Sequence, residues 1–461
     1  MLNRRLFLSS AAALAVAGAG TAFAKTGPLF GFDPAQLLGR TRRAQDPEEV
    51  PLDPQVRTSR IAWLEQYTHE IDSIDLDDNE FEDLEAFGKA VGDARIVMLG
   101  EQLHGDGTTF RAKARLVRFL HEEMGFDVLA FESGFLGMRK VWQRIREGEN
   151  ARTAARSGLF DMWSRSRQVQ PLIDYVGTRA HSSRPLELAG FDCQLTGSPS
   201  RDHPLSDLVN FLTSHDVDSA SIANWPQFLD VFKKFAVPYN DPRHPPISSL
   251  AQADRDVLLS TLDALIARTA GMNGEEAAFW RQLFKSTKAQ IQLRFGYDPE
   301  NFTMTVTNVR DPAMANNLIW LAREAFPRRK IIVWAATFHN IRNPHLIETG
   351  LTTMGHLVWQ AFGDAVYNVG FTAYEGSFGW FDWEQPVAMP PPSPDSLEGL
   401  WGETKHDNAF LDLRRLPAGG DWLRTPQVSQ PRGYVPELAD WSQVLDAMVF
   451  TRTMRPSTSA E

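Results

Sequence analysis

The chain has 461 residues, of which 43% are hydrophobic and 23% are charged, and these proportions are typical of a folded globular protein. Aspartate and glutamate outnumber lysine and arginine by 58 to 47, and the formal net charge is -11. This charge argues against a nucleic-acid binder, which needs basic residues to neutralise phosphates. The single cysteine, Cys193, excludes an intramolecular disulfide framework, a thiolate zinc site and an iron–sulfur cluster.

Residues 1–24 have the pattern of a cleavable export signal. Arg4 and Arg5 precede a mild apolar stretch that ends in an A-x-A cleavage site at Ala24. The two arginines and the Leu-Phe-Leu that follows them resemble a twin-arginine signal, for which an ordinary secretory signal is the alternative. We therefore expect export by the twin-arginine machinery to the periplasm or the exterior, with no membrane anchor after cleavage.

The mature chain begins with prolines and charges that lack periodicity, which predicts an extended arm over residues 25–60. Apolar spacing predicts helices over 60–71, 80–91, 108–124 and 311–325, and continuous apolar runs predict buried strands over 95–100, 127–131, 186–191, 330–335 and 366–372. Strands that alternate with helices over residues 61–454 predict one α/β domain, with a mostly parallel central sheet flanked by helices.

Three further segments interrupt or end this pattern. Residues 204–300 lack strand signals and predict an additional helical lobe inserted into the domain. Residues 386–394 contain five prolines and predict a loop. The last residues, 455–461, predict a disordered tail.

Polar or ionisable side chains follow four of the predicted strands directly. The first strand leads to Glu101 and His104, the second to Glu132, the third to Asp192 and the fourth to His339. Because the carboxyl ends of parallel strands meet at the same edge of a sheet, we expect these side chains to converge on one pocket. Carboxylates and imidazoles in one pocket suit proton transfer.

Each of these residues also has a purely structural interpretation. Asp192 can cap the next helix, and His339 taken alone is as compatible with a satisfied core histidine as with a catalytic one. Glu101 and His104 carry the strongest signal, because their three-residue separation puts both on one side of a helical turn. No G-x-S-x-G elbow or P-loop accompanies them, which disfavours a serine hydrolase and a nucleotide-binding enzyme.

The same segments resemble the erythromycin esterase family. Leu99-Gly100-Glu101-Gln102-Leu103-His104-Gly105 is similar to the family's Gly-Glu-x-x-His-Gly signature, and Gly190-Phe191-Asp192-Cys193-Gln194 is similar to its Gly-Phe-Asp-x-Gln. Arg310 begins a segment similar to the family's Arg-Asp-x-x-Met-Ala-x-Asn helix start. The resemblance covers most of residues 85–450.

The resemblance implies a hydrolase that cleaves an ester or lactone bond of a small-molecule substrate. It implies that His104 activates a water molecule, that Glu101 orients His104, and that Glu132 lines the same pocket. His339 corresponds to the second histidine of the family's Trp-Ala-His-Asn-x-His motif.

Three further residues are expected in the substrate-binding part of the site: Arg310, Asp192 and Lys113. Lys113 stands where the family often has an arginine. The chain departs from the family pattern at Ala336, which replaces the first histidine of the second motif, and at Thr337 and Thr109.

Two alternatives stay open from the residues alone. The four predicted catalytic side chains are of types that can hold a divalent metal ion with an open water position, although a site without metal or other cofactor is favoured. The other alternative is a non-catalytic periplasmic protein that binds haem or another ligand, for which the histidines and Tyr367 offer axial ligands.

Overall fold

The computed structural model describes Pro47 and residues 51–195, 204–235, 251–295 and 304–460. The predicted export signal and most of the predicted arm lie outside these residues. Within the described ranges, no helix is both long enough and apolar enough to cross a membrane.

Nine strands of the described residues form one mixed sheet. The strands of the chain are β1 (His69–Glu70), β2 (Ile96–Glu101), β3 (Phe126–Gly134), β4 (Glu187–Asp192), β5 (Lys330–Ala336), β6 (Val366–Phe378), β7 (Val387–Ala388), β8 (Asn408–Asp412), β9 (Gln427–Ser429), β10 (Glu437–Ala439) and β11 (Ala447–Met454). The sheet order is β1-β8-β11-β6-β2-β5-β3-β4, β7 pairs with β6, and β9 and β10 form a separate pair.

Six strands of the sheet run parallel to one another: β11, β6, β2, β5, β3 and β4. At one edge, β8 pairs with β11 in the antiparallel direction, and β1 pairs with β8 in the same way. The α/β class with a mostly parallel sheet is therefore confirmed. The five predicted strands correspond to β2, β3, β4, β5 and β6. The sequence interpretation missed β8 and β11, which pair with each other and join β1 and β6 into the same sheet.

Helices cover both faces of the sheet. They are α1 (Pro54–Tyr67), α2 (Glu85–Val91), α3 (Gly107–Met124), α4 (Phe135–Arg146), α5 (Ala151–Gly158), α6 (Asp161–Ser164), α7 (Gln170–Arg179), α8 (Pro204–Ser214), α9 (Trp225–Phe235), α10 (Gln252–Thr269), α11 (Glu275–Phe295), α12 (Met304–Trp320), α13 (Thr337–Asn340), α14 (Met354–Phe362), α15 (Leu397–Trp401) and α16 (Trp441–Val444). The described part of the predicted lobe is helical, as α8 to α11 show.

Strand β2 explains why the central strands read as continuous apolar runs. Val97 and Leu99 belong to one hydrophobic core cluster, and Ile96 and Met98 belong to another. Because successive side chains of a strand point to opposite faces, β2 needs apolar residues at every position to fill both cores. Glu101 is the first residue of β2 that has a polar side chain.

Both ends of the domain differ from the sequence prediction. Part of the predicted arm is helix α1, whose Asp53 accepts hydrogen bonds from the first turn and whose Pro54 suits the first helical position. The predicted disordered tail is packed through residue 460, since Ser457 is buried and its N–H donates to the carbonyl of Gly105 at 2.9 Å. These long-range bonds leave no local pattern in the sequence.

Candidate active site

The predicted site residues meet where β2, β5 and β3 end side by side. Glu101 is the last residue of β2 and lies in register with Ala336, the last residue of β5. Glu132 lies near the end of β3, on the other side of β5. Glycine at position 100 lets the end of β2 approach the backbone of Thr337, because a Cβ there would lie only 2.7 Å from Cα of Thr337.

Glu101, His104 and Lys113 form the first of two clusters. Oε1 of Glu101 lies 3.1 Å from Nδ1 of His104, and its Oε2 accepts a hydrogen bond from Nζ of Lys113. Within the described part of the chain, Nε2 of His104 has no hydrogen-bond partner. Glu101 therefore orients the imidazole through Nδ1, which leaves Nε2 available to a water molecule.

Lys113 reaches this cluster from helix α3 and is completely buried. Its ammonium lies 4.2 Å from the ring centre of Trp334 and also donates to the carbonyl of Ala335 at 3.3 Å. Burial lowers the pKa of Lys113 to about 8, although the negative charge of Glu101 opposes that change. The lysine thus carries its positive charge at neutral pH and loses it at mildly alkaline pH.

Arg310 is the centre of the second cluster. Its Nη2 donates to Oε1 of Glu132 at 2.8 Å and to Oδ2 of Asp192 at 2.7 Å. Burial opposes ionisation of Glu132, but the nearby positive charges of His339 and Arg310 outweigh burial and hold its pKa well below the usual range. The guanidinium therefore bridges Glu132 and Asp192 and helps to keep Glu132 ionised in its buried position.

His339 joins the second cluster through both ring nitrogens. Nδ1 lies 3.0 Å from each carboxylate oxygen of Asp311, and Nε2 lies 3.2 Å from Oε1 of Glu132. Burial opposes protonation, but Asp311 and Glu132 together raise the pKa of His339 to about 9. Nη1 of Arg310 also lies 3.1 Å from Nε2, and this contact is a hydrogen bond only when Nε2 has lost its proton.

The backbone at the end of β5 links the two clusters. The N–H of Ala336 donates to Oε2 of Glu132 at 3.0 Å, one residue after the carbonyl that accepts from Lys113. Both clusters are nearly sealed from solvent, because Glu101 and Glu132 are 0% exposed, whereas His104 keeps 5% and Arg310 keeps 4% of its surface. The site is therefore nearly closed, and each cluster keeps one residue with slight exposure.

The loop that carries His104 is held by distant segments of the chain. Asp106 accepts from the N–H of Leu103 at 2.8 Å and from the hydroxyl of Tyr434 at 2.7 Å. Burial raises the pKa of Asp106 to about 7, although these hydrogen bonds oppose that rise. Gly105 is required here, because a Cβ would lie 2.9 Å from the backbone of Gly379.

All seven predicted site residues lie in the two clusters: Glu101, His104 and Lys113 in the first, and Glu132, Asp192, Arg310 and His339 in the second. Their catalytic and substrate-binding roles stay predictions, because Lys113, Asp192 and Arg310 direct polar atoms at protein partners in this closed site. Sequence interpretation missed Asp311 as a site residue, although it is the Asp of the Arg-Asp pair in the family-like segment. It also missed Asp106 and Tyr434, and no local signal marks Tyr434.

The same contacts bear on the two open alternatives. Among the described residues, no group of three or more His, Cys, Asp or Glu side chains is placed to hold a metal ion. In the second cluster the guanidinium of Arg310 lies between the carboxylates that a cation would need. Tyr367 lies near the start of β6, where its buried hydroxyl donates to Asp412 at 3.3 Å, and so it is not part of either cluster.

The chain is similar in sequence to proteins of one known family. The family model described as Erythromycin esterase matches residues 121–454. A putative hydrolase of Bacillus subtilis (strain 168), YbfO, is 24% identical in an alignment 432 residues long that covers 86% of this chain and 91% of that protein. Erythromycin esterase type II of Escherichia coli is 22% identical in an alignment 317 residues long that covers 65% of this chain and 74% of that protein.

A solved structure shows the same fold. A crystallised mutant of an erythromycin esterase in its open conformation superimposes with a TM-score of 0.60 at 16% identity. The match covers 86% of this chain and 99% of that one. The likeness therefore shows that the two chains share a fold over most of their length.

Proposed function

Because the chain belongs to the erythromycin esterase family, we propose that it hydrolyses an ester or lactone bond with a water molecule activated by His104. Family membership and the names of its relatives support the broader class of hydrolase. The observation that carries the finer proposal is the asymmetry of His104. Its Nδ1 faces Glu101, its Nε2 has no hydrogen-bond partner among the described residues, and the residue keeps 5% of its surface exposed.

In the proposed reaction, Nε2 of His104 takes a proton from water, and the resulting hydroxide attacks the carbonyl carbon of the ester. Glu101 stabilises the imidazolium that forms, while its other oxygen pairs with Lys113. His104 then returns the proton to the leaving alkoxide. We propose that backbone N–H groups of the loop over 100–107 donate to the oxyanion of the tetrahedral intermediate.

The second cluster supports this chemistry from the floor of the site. Arg310 and His339 together carry positive charge against Glu132, Asp192 and Asp311, so the cluster is nearly balanced in a buried environment. Such a network resists rearrangement, because breaking a buried ion pair leaves its charges with fewer partners. We infer that it holds the end of β5, and through it the first cluster, in one geometry.

A substrate screen with matched variants tests the proposal. The parent is assayed on 4-nitrophenyl esters and on macrocyclic lactones, beside H104A and the exposed-histidine control H345A. We expect H104A to lower kcat by ~10²–10⁴-fold with an unchanged melting temperature, and H345A to behave like the parent. Equal turnover by H104A and the parent would contradict the role of His104, and the absence of any ester or lactone turnover would contradict the reaction class.

We also propose that the protein is exported to the periplasm or the exterior and acts there on a small-molecule substrate. Support comes from the arginine pair, apolar stretch and A-x-A site of residues 1–24. The test is the location of the full chain and of a double variant with lysine at positions 4 and 5, in a bacterium that has twin-arginine export. We expect processed parent protein outside the cytoplasm and unprocessed variant inside it.

A further inference from the structure

Three buried polar atoms beside the His104 loop have no hydrogen-bond partner. They are Oε1 of Gln102, Nε2 of Gln430 and Nη1 of Arg432. The three side chains are 3%, 2% and 6% exposed, so bulk water does not satisfy these atoms. A buried polar atom without a partner lowers stability by about 1–3 kcal/mol, and several in one place therefore indicate a group that binds there.

The orientation of Gln102 follows from its other contact. Its Nε2 donates to the carbonyl of Gln430 at 3.1 Å. A carbonyl oxygen only accepts, so the amide group of Gln102 has to face it with nitrogen, which leaves Oε1 as an acceptor without a donor. The N–H of Gly433 in turn donates to the carbonyl of Gln102 at 3.1 Å, so residues 430–433 lie directly against the loop.

Two of these side chains are connected to chain segments that carry proposed catalytic residues. Gln102 immediately follows Glu101 in the chain, and the guanidinium of Arg432 lies 5.1 Å from the ring centre of Phe338, the residue before His339. Arg432 donates from Nε to Glu437 at 2.9 Å and also pairs with it through Nη2. Glu437 thus occupies Nε and Nη2 of the guanidinium and leaves Nη1 as a free hydrogen-bond donor.

From these contacts we propose that Gln102, Gln430 and Arg432, the Gln-Arg patch, bind a hydroxyl group of the substrate close to the bond that is cleaved. A hydroxyl donates one hydrogen bond, to Oε1 of Gln102, and accepts from Nε2 of Gln430 and Nη1 of Arg432. A carboxylate has no hydrogen for Gln102, and an alkyl group leaves all three atoms unpaired. The substrate class is therefore a hydroxylated ester or lactone, and this inference rests on the proposed function.

Three esters of equal chain length test the patch: 4-nitrophenyl butyrate, 4-nitrophenyl 3-hydroxybutyrate and 4-nitrophenyl succinate. We compare kcat/KM for the parent, for R432M and for R328M, which replaces an exposed arginine. We expect the parent to prefer the hydroxylated ester by ~10–100-fold, the value of a hydrogen bond to a charged group. R432M should reduce this preference to below ~3-fold, whereas R328M should keep the preference and turn over the butyrate ester like the parent.

Binding of the matching anilides, which are not esters, gives the same comparison without turnover. Calorimetry on butyranilide and 3-hydroxybutyranilide should show a hydroxyl preference in the parent and in R328M, and its loss in R432M. If the anilides show this pattern while no ester is hydrolysed, the patch is supported and the proposed reaction is contradicted. The inference is overturned if the parent lacks the preference, if it prefers the succinate ester, or if R432M weakens all ligands equally.

Discussion

Asp311 holds His339 with both carboxylate oxygens, each 3.0 Å from Nδ1 of the imidazole. One of these oxygens also accepts the N–H of Met354 at 2.9 Å, so the start of helix α14 fixes the carboxylate. This pair places a second imidazole at the floor of the site in a defined orientation. It also raises the pKa of His339 far enough that the ring is protonated at neutral pH.

The Asp311–His339 pair predicts a pH-dependent part of the stability. Because the pKa of His339 rises from 6.5 to about 9 in the folded protein, its contribution is complete below pH 6.5 and is lost as the pH rises through 9. We expect D311N to lower the free energy of unfolding on the order of 1–3 kcal/mol at pH 6 and much less at pH 10. Urea unfolding over this range measures the effect.

The control for this prediction is D230N, since the Asp230 side chain is 75% exposed. It should leave the unfolding curve unchanged at every pH. If D311N lowers the free energy of unfolding by the same amount from pH 6 to pH 10, titration of His339 does not contribute to stability.

The lowered pKa of Lys113 predicts that activity falls at alkaline pH. Its pKa is lowered to about 8, mainly by burial, so the ammonium opposite Glu101 is present below that pH and is lost above it. We expect kcat/KM of the parent to fall as the pH rises through 8. In K113R the guanidinium stays charged, so the alkaline fall should move upward by at least one pH unit. An unchanged profile in K113R, with the exposed-residue control K285R for comparison, would contradict this role.

The Tyr434–Asp106 hydrogen bond predicts an effect on the His104 loop. Tyr434 has a φ of 59°, in the left-handed region that non-glycine residues rarely adopt, and its hydroxyl lies 2.7 Å from Oδ1 of Asp106. Above pH 7 the carboxylate is ionised, so Y434F removes a hydrogen bond to a charged group and should lower stability by about 1–3 kcal/mol. At pH 5 the protonated carboxyl makes a weaker bond, and the loss should shrink.

The readouts for Y434F are thermal unfolding at both pH values and kcat at pH 8. We expect kcat to fall ~10-fold, because the loop that presents His104 loses one of its anchors. Y374F serves as the matched control, since the Tyr374 side chain packs against a different hydrophobic core. A stability loss of the same size at pH 5 and pH 8 would contradict the charge-dependent part of this prediction.

The contacts of the last residues predict how far the chain can be shortened at its C-terminus before activity falls. Both truncations, after Ser457 and after Arg455, remove the bonds that residues 458–460 make to residues 165–168. Truncation after Arg455 also removes the Ser457 N–H that donates to the carbonyl of Gly105. We expect the shorter variant to have a kcat ~10-fold below that of the longer one, measured on the same ester. Equal activity would show that Ser457 does not position the loop.

Local patterns in the sequence were enough to predict the central sheet and the residues at its edge. Buried parallel strands need apolar residues at every position, so β2, β3 and β5 stand out, and Glu101 and Glu132 are conspicuous where the apolar runs end. The parallel order of strands then brings these ends together by a general rule of α/β folds. Strand β11 escaped prediction, because its place beside β6 depends on pairing between distant segments.

The sequence by itself determined which chemical groups stand at the strand ends and that they share one edge of the sheet, because that information is local. Only the tertiary structure decided how these groups are paired: that Arg310 bridges Glu132 and Asp192, that Asp311 orients His339, and that Tyr434 holds Asp106 from 328 residues away. The physical reason is that a hydrogen bond or ion pair depends on the distance between side chains after packing. The periodic pattern of apolar residues along the chain does not determine the distance between side chains that are far apart in the sequence.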